Sequence, residues 1–236
     1  MTNRAESEPP FLYPGYKSTV LRAPTQAPIA LPKARSTQTG PQYGAAHATA
    51  LDADLTKNGI TAKHIAGGQP LGERIIVTGQ VRDDRARPVA GALIELWQAN
   101  AAGRYVHSSD AHDAPLDPNF FGAGKAVTDA HGHYCFLTIK PGAYPWGNHH
   151  NGWRPAHIHY SLFGASIASR LITQLYFPGD PLLQHDPIFH AVPAHARDRL
   201  VAQFSLDATA PGFALGYVFD IVLSGGQATP LASSYG

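Results

Sequence analysis

Ile75-Ile76-Val77-Thr78-Gly79-Gln80-Val81 runs into the turn Asp83-Asp84-Arg85-Ala86-Arg87-Pro88 and returns as Ala92 to Gln98. The first run is β-branched and partly alternating. On the second, Leu93, Glu95 and Trp97 share one face and Ala92, Ile94 and Leu96 the other, because successive strand side chains point to opposite sides. Two such runs around a polar, proline-closed turn read as paired strands. The same grammar recurs downstream. Arg104 to His107, Lys125 to Thr128, His133 to Ile139, Ala156 to Phe163, Leu171 to Phe177 and Gly216 to Leu223 are strand candidates, punctuated by Asp129-Ala130-His131-Gly132, Pro141-Gly142 and Pro178-Gly179-Asp180. Short strands with frequent turns predict an all-β fold, an antiparallel β-sandwich over residues 71–236. Only Pro193 to Phe204 has helical spacing, through Leu200, Val201 and Phe204.

Composition agrees. Of 236 residues, 23 are Gly and 20 are Pro, and only 15% are charged, a turn-rich balance unlike that of a helical bundle. A net charge of +1 gives no broad field for nucleic acid or an anionic membrane. Met1 to Pro10 is polar and lacks the apolar core of a secretion signal, so a cytoplasmic protein is expected. A single cysteine, Cys135, excludes an internal disulfide, and its alternating segment predicts a buried, inert thiol.

Residues 1–70 read as an extended arm. Pro9, Pro10, Pro14, Pro24, Pro28, Pro32 and Pro41 interrupt any regular element, yet Phe11, Tyr13, Tyr16, Val20 and Leu21 supply apolar surface. Such an arm is expected to pack on its own domain or on a partner subunit. Leu51 to Asn58 could form a short helix.

His157-Ile158-His159 is the sharpest local feature, since imidazoles at i and i+2 on a strand face the same way and can reach one metal ion. An isolated pair of this kind is more often two polar residues on a wet sheet face. Its surroundings are unusual: Tyr144-Pro145-Trp146 before it and Trp153-Arg154-Pro155-Ala156 immediately ahead, a stiff, aromatic-walled setting.

Several blocks carry a resemblance: Gly72 to Val77, Glu95 to Asn100, Gly103-Arg104-Tyr105, Ala114 to Phe120, Thr138 to Gly142, Trp153 to His159 and Leu171 to Pro181. Together they resemble the intradiol ring-cleaving dioxygenases, and within them the β-chain type of the protocatechuate-cleaving branch, from about Tyr16 to Leu223. The resemblance implies a non-haem Fe(III), one per chain, on Tyr105, Tyr144, His157 and His159. It also implies a catechol substrate whose protons are taken in part by Tyr144, with Arg154 beside the reacting ring and Gln174 behind it. Trp97, Trp146 and Ile188 match pocket-wall positions, and Tyr16 and Arg22 match residues near a substrate carboxylate. The substrate so implied is 3,4-dihydroxybenzoate and the partner an α subunit of similar fold in a hetero-oligomer.

The donor chemistry is consistent with that metal. Free tyrosine, with a pKa of about 10, is a poor anion at neutral pH unless a cation stabilises the phenolate. Zinc more usually takes thiolate, imidazole or carboxylate, and a ferrous oxygenase takes two histidines and a carboxylate. Taken as bare residues, Arg154 could be a surface or structural ion pair, though its place three residues before His157 favours the functional reading; Gln174 reads as a polar strand residue, and Trp97 and Trp146 equally as core packing. Other readings of the chain are the same chemistry on catechol or hydroxyquinol, a non-catalytic metal-binding sandwich, or a structural chain of a larger assembly. Gly147 stands where the related sequence carries arginine, and His149 and His150 beside it are expected to face solvent.

Overall fold

In a computed structural model, which describes residues 7–27, 48–57, 68–163 and 170–232, two sheets form the body of the chain. β1 (Arg74–Arg82) alternates half-buried and buried along its length, with Ile75, Val77 and Val81 turned inward. It pairs antiparallel with β4 (His133–Ile139) on one edge. On the other it pairs parallel with β10 (Ala214–Val218) and then β11 (Ile221–Val222), and β9 (Gln203–Ala210) lies outside β10. The second sheet is antiparallel throughout, in the order β3 (Ala123–Val127), β2 (Leu93–Gln98), β7 (His157–Phe163), β8 (Arg170–Tyr176). A two-residue hairpin, β5 (Tyr144–Pro145) against β6 (Trp153–Arg154), stands apart from both.

β7 decides where the site lies. Its residues from His157 to Leu162 are all buried, so both of its faces are covered. Ile158, Tyr160 and Leu162 join Ile75, Val77, Ile94, Leu96, Phe136 and Leu175 in the core between the sheets. Each such fully buried aliphatic contributes about 1.5–3 kcal/mol. The opposite face carries His157 and His159, and register puts Trp97, Gln174 and Tyr176 alongside them. Gly79 marks a close approach in the first sheet, since a Cβ there would strike the carbonyl of Phe219.

The all-β sandwich with short helices is therefore as expected, while several details differ. The first sheet is mixed, because β10 and β11 run parallel to β1. Gly216 to Leu223 is two strands rather than one, and β9 had no anticipating signal. Arg104 to His107 is not a strand. Asn100 Oδ1 accepts from the backbone N–H groups of Ala102 and Arg104, and Asp110 Oδ2 from that of Tyr105, so side chains replace the ladder bonds. The helix expected over Pro193 to Phe204 is a 3-10 helix, Ala194–Leu200, after which Phe204 lies half-exposed in β9. Cys135 is exposed, on the outer side of β4, although burial of its surroundings still pushes its thiol pKa up.

Near the N-terminus, α1 (Lys17–Arg22) fits between Pro14 and Pro24, so the prolines bound a helix rather than forbid one. Ala50–Ala53 forms a 3-10 helix, shorter than expected, and Leu55 beyond it is fully buried in the main core. Asn58, Pro28, Pro32 and Pro41 lie outside the described residues. No helix among the described residues is long and apolar enough to cross a membrane.

Candidate active site

The outer face of β7 is roofed by two segments from elsewhere in the chain. The turn after β2 brings Tyr105, and β5 brings Tyr144. Gly103 makes their approach possible: it has φ +79°, and a Cβ on it would collide with the carbonyl of Ala143. The four side chains close a ring of contacts. Ring centroids are 5.4 Å apart for Tyr105 and Tyr144, 5.4 Å for Tyr144 and His157, 4.8 Å for His157 and His159, and 6.3 Å for His159 and Tyr105.

Each imidazole is held. His157 Nδ1 is 2.7 Å from the carbonyl of Pro155, an acceptor only, so this nitrogen carries the proton and Nε2 keeps its lone pair, 3.3 Å from Tyr144 Oη. His159 stacks on Trp97 at 4.8 Å, with planes 1° from parallel. Burial first, and then the charge of Arg154, lowers both histidines: His157 well below its ordinary value and His159 to about 3. Both are neutral near pH 7, the state in which imidazole binds a metal.

The phenols are perturbed the opposite way. Burial raises Tyr105 well above the ordinary phenol value, reinforced by Tyr144, and burial raises Tyr144 as well. Among the described residues the buried Tyr105 hydroxyl makes no well-formed hydrogen bond, although Tyr144 lies close enough to influence it. A buried partnerless hydroxyl costs about 1–3 kcal/mol, a penalty that a bound cation would remove while drawing off the proton. Among the described residues no group of three or more His, Cys, Asp or Glu could hold a metal, so an ion at this ring would depend on the tyrosines. Two neutral imidazoles and two phenols awaiting a cation fit a hard trivalent ion.

Arg154 lies beneath the ring, fully buried. β5–β6 pairing sets it directly across from Tyr144, and Trp146 lies over its guanidinium at 5.3 Å. Nη2 donates to Gln174 Oε1 at 2.6 Å, to Tyr176 Oη at 3.1 Å and to Asp186 Oδ2 at 2.9 Å, and Nε reaches the same carboxylate at 3.2 Å. Burial opposes its charge, but Asp186, Tyr176 and Tyr144 together outweigh it, so its pKa is raised. Among the described residues Arg154 Nη1 and Gln174 Nε2 have no hydrogen-bond partner.

The arm reaches this region through Tyr16, which is buried and packs on Trp146 at 5.4 Å, in one apolar cluster with Ile188 and Tyr176. Asn148 ties the arm to the loop after Trp146: its Nδ2 donates to the Gly15 carbonyl at 2.9 Å and its Oδ1 accepts from the Lys17 amide at 2.7 Å. Arg22 is exposed, 5.2 Å over the outer side of Tyr16, and borders a surface groove of about 430 Å³ that none of the four ring residues lines. His149 and His150 are exposed, as expected. Sequence reasoning missed Asp186 and Tyr176. Asp186-Pro187 was legible as a helix start, an N-cap followed by proline at the first helical position, but nothing local linked it to Arg154.

Residues 38–225 match the family described as Dioxygenase, and residues 3–34 match the N-terminal segment of protocatechuate 3,4-dioxygenase beta subunits. The chain belongs to the intradiol dioxygenase family. It is 60% identical over 225 residues to the protocatechuate 3,4-dioxygenase beta chain of Burkholderia cepacia, an alignment covering 95% of this chain and 94% of that one. Hydroxyquinol 1,2-dioxygenase of Rhizobium sp. (strain MTP-10005) is more distant, 32% identical over 64% of this chain and 53% of its own length. Among solved structures, 3-chlorocatechol 1,2-dioxygenase of Rhodococcus opacus 1CP superposes with a TM-score of 0.54 at 23% identity, over 74% of this chain and 66% of that one, a likeness of fold. Membership of the intradiol family implies a non-haem iron cofactor.

Proposed function

We propose that this chain, carrying one Fe(III) on Tyr105, Tyr144, His157 and His159, opens the ring of 3,4-dihydroxybenzoate with O2 between its hydroxyl-bearing carbons, to give 3-carboxy-cis,cis-muconate. The observation that carries the reading is the closed ring of two phenols and two neutral imidazoles around buried oxygen and nitrogen atoms. Its substrate rests on the 60% identity to a protocatechuate 3,4-dioxygenase beta chain. Fe(III), when bound, would draw electron density from a diol substrate and ready its ring for O2.

The chain's own residues supply the rest. Tyr144 stands on a two-residue strand paired with β6, and its Oη, as the phenolate that a bound cation would leave, would accept one of the two protons the diol must lose, the other going to hydroxide. Tyr105, whose amide is pinned by Asp110, stays in place. Arg154 presents its unpartnered Nη1 where negative charge develops on the ring, in a buried setting that strengthens the interaction. Gln174 steadies that guanidinium. Trp97, Trp146 and Ile188 shape the walls. Tyr16 and Arg22 serve the substrate carboxylate, Arg22 once the diol or a partner chain draws it inward. Residues 1–70 serve as an arm to the sandwich domain of residues 71–236, a reading supported by the packing of Tyr16 on Trp146. The beta-chain name of the Burkholderia relative supports pairing with an α chain, for which a similar fold is our reading. The lone cysteine suits work in the cytoplasm.

Steady-state turnover by the iron-loaded complex decides between substrates. 3,4-Dihydroxybenzoate should be strongly preferred to plain catechol. A clear preference for catechol would remove Tyr16 and Arg22 from the carboxylate end. Iron bound without ring-opened product from any catechol would end the oxygenase reading.

A further inference from the structure

Asp186 lies outside the four-residue ring and belongs to none of the motifs read above, yet its carboxylate joins two parts of the site. Oδ1 accepts from the Ile188 amide at 2.9 Å and caps α2 (Pro187–Ala191), the short helix that brings Ile188 and Phe189 to the apolar cluster under Tyr16. Oδ2 accepts from both Nε and Nη2 of Arg154. Neither side chain of this ion pair is exposed at all.

The consequence concerns orientation. A guanidinium offers five N–H groups in a rigid plane. Asp186, Gln174 and Tyr176 together take up the Nε–Nη2 edge, Trp146 covers one face, and the Nη1 end is left buried with no partner. A carboxylate gripping one edge holds the plane more firmly than neutral acceptors alone, because it adds charge–charge attraction to hydrogen bonds from both Nε and Nη2. We infer that Asp186 is a positioning residue for the reaction: it holds the Arg154 guanidinium with its Nη1 end free for the reacting ring, and ties that orientation to α2 and the substrate wall. The inference rests on the proposed reaction and on the role of Arg154 in it.

The test compares Asp186→Asn with Asp186→Glu in the iron-loaded complex, each also on an Arg154→Lys background. Asparagine keeps an acceptor for the Ile188 amide, so the cap survives while the charge is lost. Expected for Asp186→Asn is a fall in kcat of about 10- to 100-fold, the scale of a misplaced active-site group, with KM for 3,4-dihydroxybenzoate within about threefold of wild type. Iron content and the visible phenolate-to-iron absorption should stay at wild-type levels. On the Arg154→Lys background the same change should alter kcat less than about twofold, since an effect transmitted through Arg154 cannot be lost twice. Asp186→Glu should recover most of the loss. Unchanged kcat in Asp186→Asn, or an equal loss on both backgrounds, would overturn the inference. If Asp186→Asn does not fold, Asp186→Ser, which keeps a capping oxygen and loses the charge, takes its place in the same cycle, and an equal loss on both backgrounds again overturns it. Absence of turnover in the wild-type complex is a separate outcome and strikes the proposed function itself.

Discussion

The imidazole of His159 lies flat on the indole of Trp97, centroids 4.8 Å apart and planes 1° from parallel. The contact follows from register, since Trp97 and His159 are directly paired across β2 and β7. Among the described residues no side-chain hydrogen bond orienting His159 accompanies it, whereas His157 has the Pro155 carbonyl. The indole is therefore the orienting element on that side of the ring.

Replacing Trp97 by Leu should loosen His159 more than it harms the fold. Trp97 is only half-buried, and aromatic stacking of this kind contributes about 0.5–1.5 kcal/mol beyond area. The expected result is a stability loss of about 1–3 kcal/mol in the metal-free chain, together with a several-fold fall in iron affinity. Denaturant melts and iron titrations monitored by visible absorption check the two separately. Unchanged iron affinity would assign Trp97 to packing alone.

The two phenols should respond differently to loss of their hydroxyls. Tyr105 Oη is buried and unpartnered, so Tyr105→Phe should leave the metal-free chain as stable as wild type or up to about 1 kcal/mol more stable, while iron affinity drops sharply. Tyr144→Phe should still bind iron, with altered colour, and lose more than about tenfold in kcat because a proton acceptor is gone. A destabilised metal-free Tyr105→Phe would show that its hydroxyl has a partner after all.

Much of this arrangement could be read from sequence, and the gaps have a common cause. Alternation placed His157 and His159 on one face and Ile158 on the other, because period two needs no knowledge of neighbours. Where a residue's partner is distant, local pattern fails. The parallel pairing of β1 with β10 joins Ile75 to Leu215, and Arg154 meets Asp186 across 32 positions. Arg104 to His107 carries the strand formers Tyr105 and Val106, but Asn100 and Asp110 satisfy its backbone first. Val201 and Phe204 keep helical spacing, yet they fall to a bridge with Tyr176 and to β9. The four-residue ring was reachable only through the resemblance, since no spacing rule joins Tyr105 to His159.

Alkaline pH should unfold the chain through its core tyrosines. Tyr134 and Tyr160 sit between the sheets, and burial is the first cause raising both phenols, Tyr134 well above the ordinary value and Tyr160 also far up. Above pH of about 10 the unfolded chain releases these protons and the folded chain keeps them. Their contribution is fully present below that pH and declines as pH rises toward the folded-state values, by about 1.4 kcal/mol per pH unit for each group. Melts of the metal-free chain between pH 8 and pH 12 should show this decline, and Tyr134→Phe should make it shallower. An equal slope in Tyr134→Phe would place the alkaline transition elsewhere.

Gly103 is where stability and the site meet. With φ +79° it occupies the left-handed region, and its missing Cβ leaves room for the Ala143 carbonyl, the residue before Tyr144. It also stands two residues before Tyr105, so both phenols depend on this one approach of backbone to backbone. Alanine there meets strain of about 1–2 kcal/mol from the dihedral alone, and a clash with backbone that no rotamer can relieve. The turn and β5 must then separate. Gly103→Ala should lower stability by about 2–4 kcal/mol and also weaken iron binding, because Tyr105 and Tyr144 are pushed apart together. Gly91→Ala is the control: it too has positive φ, +70°, but its Cβ would meet nothing within 4 Å. It should cost stability only, and leave iron affinity and the visible spectrum as in wild type. Equal iron affinity in the two variants would mean that the spacing of the phenols does not depend on Gly103.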